Sequence, residues 1–289
     1  MNVLRGIIRI YAFVQSASRA ENLPVTENFL NRFGGIARLY GVSSLEKFSQ
    51  SHVMIVGLGG VGSWTAEALA RSGVGKFTLI DLDDLCITNT NRQIHATTET
   101  IGRSKASALA ERIHLINPEA HSTIEQVFYT EKTSEDLLSA KPDIVVDAID
   151  SVRPKCHLLA ACRQYNIPVI SSGGAGGRTD ASQICIDDLS KTHRDALLLS
   201  VRRKLRSEYN FPNANKKSSK FKIPAVFSPE QPKFPTCDGS TSTRRPAEIP
   251  SGIKCDSGYG SATHITATFG NFMAGWVLDQ LCSSPKGGN

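Results

Sequence analysis

Three glycines that follow a short apolar run have the spacing of a phosphate-binding turn. Gly57, Gly59 and Gly62 form a G-x-G-x-x-G pattern directly after the apolar residues at 53–56. Because glycine has no Cβ, the chain can turn sharply there, and a phosphate can approach the positive N-terminus of a helix that begins near Val61. The pattern predicts a nucleotide site, but alone it does not distinguish a dinucleotide from ATP.

Charged residues after the next predicted strand, at 77–81, change this interpretation. Asp81 lies 24 residues after Gly57, where an acid can accept hydrogen bonds from a ribose hydroxyl. Arg92 and Lys105 would bring two positive charges to the same phosphates, which suits breaking a phosphoanhydride better than holding an intact dinucleotide. The same stretch also holds Asp83, Asp84, Asn89 and Asn91. These residues favour ATP over NAD.

The elements that must position these residues alternate between strands and helices. That alternation predicts an α/β fold with a doubly wound, Rossmann-like sheet. Asp150 follows the strand predicted at 143–149, at the carboxyl edge where such sheets bind ligands. The other predicted strands lie at 53–57, 77–81, 122–127, 167–172 and 183–187, and the predicted helices at 27–50, 62–72, 105–116, 154–165 and 262–281.

Several segments together resemble the E1-like, ubiquitin-activating adenylyltransferases. The pattern is a G-x-G-G-x-G turn, then D-x-D and N-x-x-R-Q, then a lysine, then a D-x-x-D strand end. The segments at 88–95, 147–155 and 172–177 are similar to the tRNA threonylcarbamoyladenosine dehydratase family within that superfamily. The resemblance runs from about residue 29 to about residue 281, and the combination is far more specific than any single motif.

The resemblance implies an E1-like sheet that binds ATP and Mg²⁺. It implies that Asp81 binds the ribose, that Arg92 and Lys105 are catalytic, and that Asp150 binds the metal. Asp147 is expected to be a structural acid beneath the site, and Arg153 and Lys155 to be solvated. The predicted nucleotide-binding residues are Gly57, Gly59, Gly60, Gly62, Asp81, Asn89, Arg92 and Lys105.

The implied reaction is the ATP-dependent dehydration and cyclisation of N6-threonylcarbamoyladenosine in tRNA. The alternative is adenylation of the C-terminus of a ubiquitin-like sulfur-carrier protein. An inactive scaffold that binds only a partner is a third interpretation, and an NAD oxidoreductase is a fourth. The resemblance also implies a homodimer in which Arg32 or Arg38 reaches the nucleotide of the other subunit, and it allows a sulfur-relay or redox partner protein.

The seven cysteines include no C-x-x-C pair, so the structural zinc site of many related carrier-activating enzymes is not expected. By the resemblance Cys255, or else Cys237, is a candidate catalytic thiol, and Lys254 would favour the Cys255 thiolate. The dehydration itself does not require a thiol. The remaining five are expected to be reduced core thiols: Cys86, Cys156, Cys162, Cys185 and Cys282.

At 289 residues, with 40% hydrophobic and 21% charged residues, the chain suits one large α/β domain at 26–285. The net charge of +6 permits binding to a polyanion without establishing it. The basic segment at 194–222 is predicted to contact tRNA phosphates. The segment at 222–251 holds six prolines, and we expect a loop over the site there, with no regular helix or central strand.

Residues 1–25 are predicted to be an N-terminal extension outside the fold. They contain Arg5, Arg9 and Arg19 and no acid before Glu21, a composition compatible with a transit peptide. An unstructured leader and a start codon placed too far upstream remain alternatives. We therefore expect a cytoplasmic protein, or a mitochondrial or other organellar one if the extension is a transit peptide. No run reaches the ~18 apolar residues that stable membrane insertion needs.

Overall fold

The computed structural model describes residues 25–213, 220–236, 238–244 and 259–283. The predicted N-terminal extension, Cys237 and Cys255 lie outside these residues, apart from Val25. The helices are α1 Glu27–Tyr40, α2 Val42–Gln50, α3 Gly60–Arg71, α4 Lys105–Ile116, α5 Ser134–Leu138, α6 Val152–Gln164, α7 Ala196–Glu208 and α8 Thr263–Ser283. The strands are β1 His52–Val56, β2 Lys76–Ile80, β3 His121–Glu125, β4 Ile144–Asp147, β5 Val169–Ser172, β6 Cys185–Asp188, β7 Pro224–Phe227, β8 Phe234–Pro235 and β9 Thr241–Ser242.

A seven-stranded sheet organises the described part of the chain, in the order β3-β2-β1-β4-β5-β7-β6. Neighbouring strands are parallel, except that β6 runs antiparallel to β7. Alternate residues of β1 point to opposite faces: Val53 and Ile55 belong to one apolar core, and Met54 and Val56 to the other. Because both faces are buried at the centre of the sheet, the central strands β1 and β4 are largely apolar, whereas the edge strands β3 and β6 carry polar residues. The predicted doubly wound fold is confirmed.

The N-terminal helical region consists of two helices separated by Gly41. The prediction that 27–50 is largely helical is confirmed, and Gly41, whose φ of 89° is a conformation that ends a helix, divides the segment in two. The Thr26 side chain caps the first helix by accepting from the Phe29 N–H. Phe29 and Phe33 then pack against Gly73, after the C-terminal end of α3. Both helices therefore lie near the amino ends of the strands, whereas the glycine turn lies at their carboxyl ends.

The proline-rich segment begins with an internal strand, so the expectation of no central strand at 222–251 was wrong. Pro224 occupies the first position of β7, where a proline is tolerated. The next three residues, at 225–227, are buried, and the strand pairs with β5 on one side and β6 on the other. The basic segment likewise contains a helix, α7, whose inner face buries Leu198, Val201 and Leu205.

No helix in the ranges that the structure describes is both long enough and apolar enough to cross a membrane. The longest one, α8, instead packs against α3 and buries Phe269, Met273 and Val277 in the core.

Candidate active site

The glycine turn joins β1 to α3, and its backbone packs closely against itself and against the segment that follows β4. Gly57 has a φ of +89°, and a Cβ added there would lie 2.8 Å from the Ala148 carbonyl oxygen. A Cβ added at Gly62 would lie only 1.9 Å from the Gly57 carbonyl oxygen. Gly59 is different, since the nearest atom to an added Cβ is 4.0 Å away. Two of the glycines are therefore needed to close the turn, whereas Gly59 faces open space.

Asp81 holds this turn in place from the end of β2. Its Oδ2 accepts a hydrogen bond from the Leu58 N–H at 2.7 Å, and its Oδ1 accepts from the Asp83 N–H at 2.9 Å. Burial raises the pKa of Asp81, although Lys105 and the two amides act in the opposite direction. Each carboxylate oxygen has a second lone pair, so the group retains capacity to accept from a ligand hydroxyl.

Lys105 is the first residue of α4 and is nearly buried. Its Nζ lies 2.7 Å from Asp83 Oδ2 and 4.0 Å from Asp81 Oδ1. Asp83 therefore holds the lysine as well as shaping the loop, while Asp84 forms an isolated bridge with Ser104, the cap of the same helix. The ammonium group is held beside the glycine turn, where its position is fixed before any ligand enters.

The loop at 89–92 is fixed from several directions. The buried Asn89 accepts from the Cys86 N–H through its Oδ1 at 3.0 Å. Arg92 donates through Nη1 to the Thr88 carbonyl at 2.7 Å. The Arg92 carbonyl accepts from Trp64 Nε1 on α3 at 3.0 Å and from Thr266 Oγ1 on α8 at 3.1 Å. Two helices therefore place the Arg92 backbone against the cleft.

Two aspartates near the end of β4 have different surroundings. Asp150 is exposed and lines the cleft. Asp147 is fully buried and accepts from Lys155 Nζ at 2.9 Å and Ser171 Oγ at 2.7 Å. Burial raises the pKa of Asp147, against the opposing effect of Lys155. Asp147 is the structural acid that the sequence predicted, but the expectation that Lys155 is solvated was wrong, because Lys155 is its buried partner.

One cleft of about 1350 Å³ is lined by seven of the eight predicted nucleotide-binding residues, all but Gly62, and also by Asp150. Gly62 lies behind the turn, where its role is steric. Arg32 and Arg38 do not line this cleft. Within the described residues, no group of three or more His, Cys, Asp or Glu side chains is placed to hold a metal. A magnesium ion at Asp150 would therefore take its other oxygen ligands from phosphate and water, as Mg²⁺ commonly does.

The thiols only partly match the expectation of core residues. Cys156 and Cys162 are buried, and burial raises the pKa of each thiol to about 12. Cys86 is exposed, so that expectation was wrong, and Cys185 and Cys282 are half-buried. Cys86 follows the apolar Leu85, but it begins a short 3-10 turn at the surface, which its apolar neighbour did not reveal.

Two polar residues of the cleft region were missed from the sequence. Gln93 lines the cleft, and its buried Oε1 has no partner among the described residues. Asp195 is buried and caps α7 by accepting from the Leu198 N–H at 2.8 Å. An aspartate directly before the apolar run at 196–199 is a helix-start signal that identifies such a cap.

The family model described as the ThiF family matches residues 34–286. The tRNA threonylcarbamoyladenosine dehydratase of Escherichia coli (strain K12) is 47% identical over 258 residues, covering 89% of this chain and 96% of that protein. The chain belongs to the tRNA threonylcarbamoyladenosine dehydratase family of ThiF proteins. The resemblance inferred from the motifs is confirmed.

Solved structures agree with this assignment over nearly the whole fold. The crystal structure of the E. coli dehydratase in complex with ATP matches with a TM-score of 0.77 and 41% identity, covering 89% of this chain and 96% of that chain. The crystal structure of the same enzyme in complex with AMP matches with a TM-score of 0.80 and 42% identity, covering 90% and 97%. The E1-like architecture is therefore shared over about nine-tenths of the chain.

Proposed function

We propose that this protein uses ATP to dehydrate N6-threonylcarbamoyladenosine in tRNA to its cyclic form. The observation that carries the proposal is the single cleft that brings the glycine turn together with Arg92, Lys105 and Asp150. The dehydratase that is 47% identical to this chain aligns with it over 96% of its own length, so the chain corresponds to nearly the whole of that enzyme.

The residues present fit ATP. The bare backbone at Gly59 leaves room for a phosphate at the N-terminus of α3, and the Asp81 carboxylate, which lines the cleft, can accept from the ribose. Arg92 and Lys105 supply positive charge where a phosphoryl group would carry developing negative charge. Asn89, whose Oδ1 is already used by the Cys86 N–H, supports the loop beside these phosphates.

Asp150 is the proposed ligand of Mg²⁺. Its exposed carboxylate faces the cleft and pairs with no cation within the described residues. Bound there, the metal would supply charge neutralisation at phosphate oxygens. Asp147 is excluded from this role, because it is fully buried, does not line the cleft and has its charge balanced by Lys155.

The chemistry requires a carboxylate to become electrophilic in a site that excludes water. The carboxylate of the threonyl group would attack the α-phosphorus of ATP and release pyrophosphate. The neighbouring carbamoyl oxygen would then attack the activated carbonyl carbon and displace AMP, so that the cyclic nucleoside is lighter than its precursor by one water. Lys105 is already oriented by Asp83, so little reorganisation is needed when charge develops. A catalytic Cys255 and a sulfur-relay or redox partner remain predictions, since Cys255 lies outside the described residues.

The tRNA is proposed to contact the basic segment at 194–222. The structure changes which residues can do so. Arg202 donates to Thr192 Oγ1, Arg206 donates to the Pro212 carbonyl and covers the Phe221 ring, and Lys204 pairs with Glu208. Arg203 on α7 is exposed, as are Lys220 and Lys222 further along the segment, and these three cations are the ones best placed for phosphate contacts.

Adenylation of a sulfur-carrier protein is the second candidate function. It would use the same ATP site, so the glycine turn does not discriminate between the two. The absence of a C-x-x-C pair and the near-complete alignment with a dehydratase favour the tRNA reaction.

The test is mass analysis of nucleosides from threonylcarbamoyladenosine-containing tRNA after incubation with the protein and Mg²⁺-ATP. We expect a product lighter than the substrate nucleoside by one water. Asp150→Ala should lose most of this activity while remaining folded, and the exposed Asp136→Ala on α5 is the matched control. If no dehydrated nucleoside forms while a carrier protein's C-terminus is adenylated, the second function replaces the first.

A further inference from the structure

The glycine-rich loop at 173–177 follows β5, and we call it the shelf. Its inner half, Gly173 and Gly174, contacts the Asp195 carboxylate. The Asp195 Oδ2 accepts from the Gly174 N–H at 2.8 Å, and a Cβ added at Gly173 would lie 2.3 Å from the same oxygen. The carboxylate is buried and also caps α7. One acid therefore fixes the loop and a helix start together.

The outer half of the shelf holds the ring of Tyr259. A Cβ added at Gly176 would lie 2.8 Å from the Tyr259 Cβ, and one added at Gly177 would lie 2.8 Å from its Cδ1. The Gly177 N–H donates to the Gly260 carbonyl at 2.7 Å, and the Phe234 ring lies with its centroid 5.0 Å from that of Tyr259. Only bare backbone leaves space for the tyrosine, so the two glycines and the ring form one unit.

Although it packs against the two glycines, Tyr259 is still 42% exposed, and it lines the cleft. An aromatic ring that is fixed from behind and open in front loses little conformational entropy when a flat ligand stacks on it. The shelf also presents positive charge. Lys233 donates its N–H to the Gly177 carbonyl and its ammonium to Thr179 Oγ1, and its side chain is exposed. The nearby Glu230 carboxylate is occupied by the Thr179 and Asp180 amides.

The shelf lies on the opposite side of the cleft from the proposed ATP ribose. Asp81 follows β2 and the glycine loop follows β5, with β1 and β4 between them in the sheet. Strands are about 4.8 Å apart, so three steps separate the two places by roughly 14 Å. The nucleoside half of one ATP molecule, held at Asp81, would therefore not reach Tyr259, although both line one cleft.

We propose that Tyr259 is the stacking platform for a nucleobase of the RNA substrate. Its ring would hold one base of the unpaired RNA while the lysine beside it faces the phosphate chain, which is how aromatic and cationic side chains recognise single-stranded nucleic acid. The proposal rests on the proposed function, and it adds the residue that orients the tRNA over the ATP site.

The test compares Tyr259→Ala, Tyr259→Leu and Tyr259→Phe with wild type. Tyr165→Ala is the matched control, an exposed tyrosine at the end of α6 that does not line the cleft. Affinity for labelled tRNA carrying threonylcarbamoyladenosine is measured by fluorescence anisotropy across a salt series, and affinity for ATP by calorimetry. Melting temperatures identify any variant that fails to fold. If Tyr259→Ala does not fold, Tyr259→Leu replaces it, because leucine still fills the space beside Gly176 and Gly177.

We expect Tyr259→Ala and Tyr259→Leu to weaken tRNA binding about 5- to 150-fold, the range for loss of one stacked base. Tyr259→Phe and the control should stay within about twofold of wild type, as should ATP affinity in all variants. The slope of log affinity against log salt should not change, because stacking releases no counterions.

Unchanged tRNA affinity in Tyr259→Leu would overturn the proposal. So would an equal loss of ATP and tRNA affinity, since that would make Tyr259 a support for the whole site. Failure of the proposed function has a different signature, because wild-type protein itself would then fail to bind the tRNA or to yield a dehydrated nucleoside.

Discussion

His95 is buried beside the proposed site without a hydrogen-bond partner among the described residues. It is 2% exposed, and neither ring nitrogen is satisfied. Burial, with smaller contributions from Lys105 and Arg112, lowers its pKa to about 4. The ring is therefore neutral at pH 7, which keeps a second positive charge away from Lys105. It also makes the histidine a source of pH-dependent stability.

We expect the free energy of unfolding to fall as pH falls from 6.5 to about 4, because over that window the unfolded state binds the His95 proton and the folded state does not. The contribution is on the order of 3 kcal/mol. His95→Leu should retain stability at pH 7.5 and show a shallower loss toward pH 5, measured by urea unfolding. The exposed His114→Gln serves as control. Equal pH dependence in wild type and His95→Leu would contradict the assignment.

At the scale of elements, the glycine turn offers two substitutions with opposite expectations. By helix propensity alone, Gly62→Ala within α3 would stabilise the protein by up to about 1 kcal/mol. The added Cβ would however lie 1.9 Å from a backbone oxygen that cannot move freely, so we expect a net loss of roughly 1–3 kcal/mol or more. Chemical denaturation measures this difference directly.

Gly59→Ala is the matched control, because its Cβ would make only an ordinary contact, 4.0 Å from Gln93 Nε2. The folded state should keep its stability within about 1 kcal/mol. The methyl group would however stand where a phosphate approaches the turn, so calorimetry should show ATP binding weakened about tenfold or more, or ~1.4 kcal/mol. If both variants unfold equally, the close contact at Gly62 does not limit stability.

Elements with a local signal were predictable from the sequence, and those that depend on distant partners were not. β1 and β4 each contain a continuous apolar run, β2 is mostly apolar, and the glycine spacing identifies the turn after β1. β7 also contains a short apolar run at 225–227, but the prolines around it argue against a central strand, and only its pairing with β5 and β6 places it inside the sheet. The Asp188 carboxylate, which accepts from the Phe221 and Lys222 amides, fixes the entry to that strand.

The same distinction applies to the site. Arg92, Lys105 and Asp150 were placed together by motif and by the rule that ligands bind at the carboxyl edge of the sheet. Lys155 was misjudged because a charge at a helix start is usually solvated. Only the fold shows that it lies beneath β4, where Asp147 neutralises it. A buried ion pair between separated segments leaves no trace in local spacing.

At the scale of the whole molecule, α1 presents an arginine-rich face away from its own cleft. Arg32 and Arg38 are exposed, and Arg32 Nη1 lies 3.4 Å from the Ile116 carbonyl oxygen. Leu39, next to Arg38, is 74% exposed, and Leu115, next to Ile116, is 78% exposed. Exposed leucines beside arginines that form no salt bridge within the described residues are typical of a surface that another protein covers. A second copy of the chain is the expected partner.

We therefore expect a homodimer by light scattering at micromolar concentration, in which α1 of one copy completes the site of the other. Arg32→Ala with Arg38→Ala should abolish most turnover, as should Lys105→Ala in a separate protein. Refolding the two inactive proteins together should restore about a quarter of wild-type activity. Half of the dimers would then be mixed, and each mixed dimer has one site with a native lysine and native arginines. A fully active monomer, or no recovery on mixing despite dimer formation, would show that the arginines serve only their own chain.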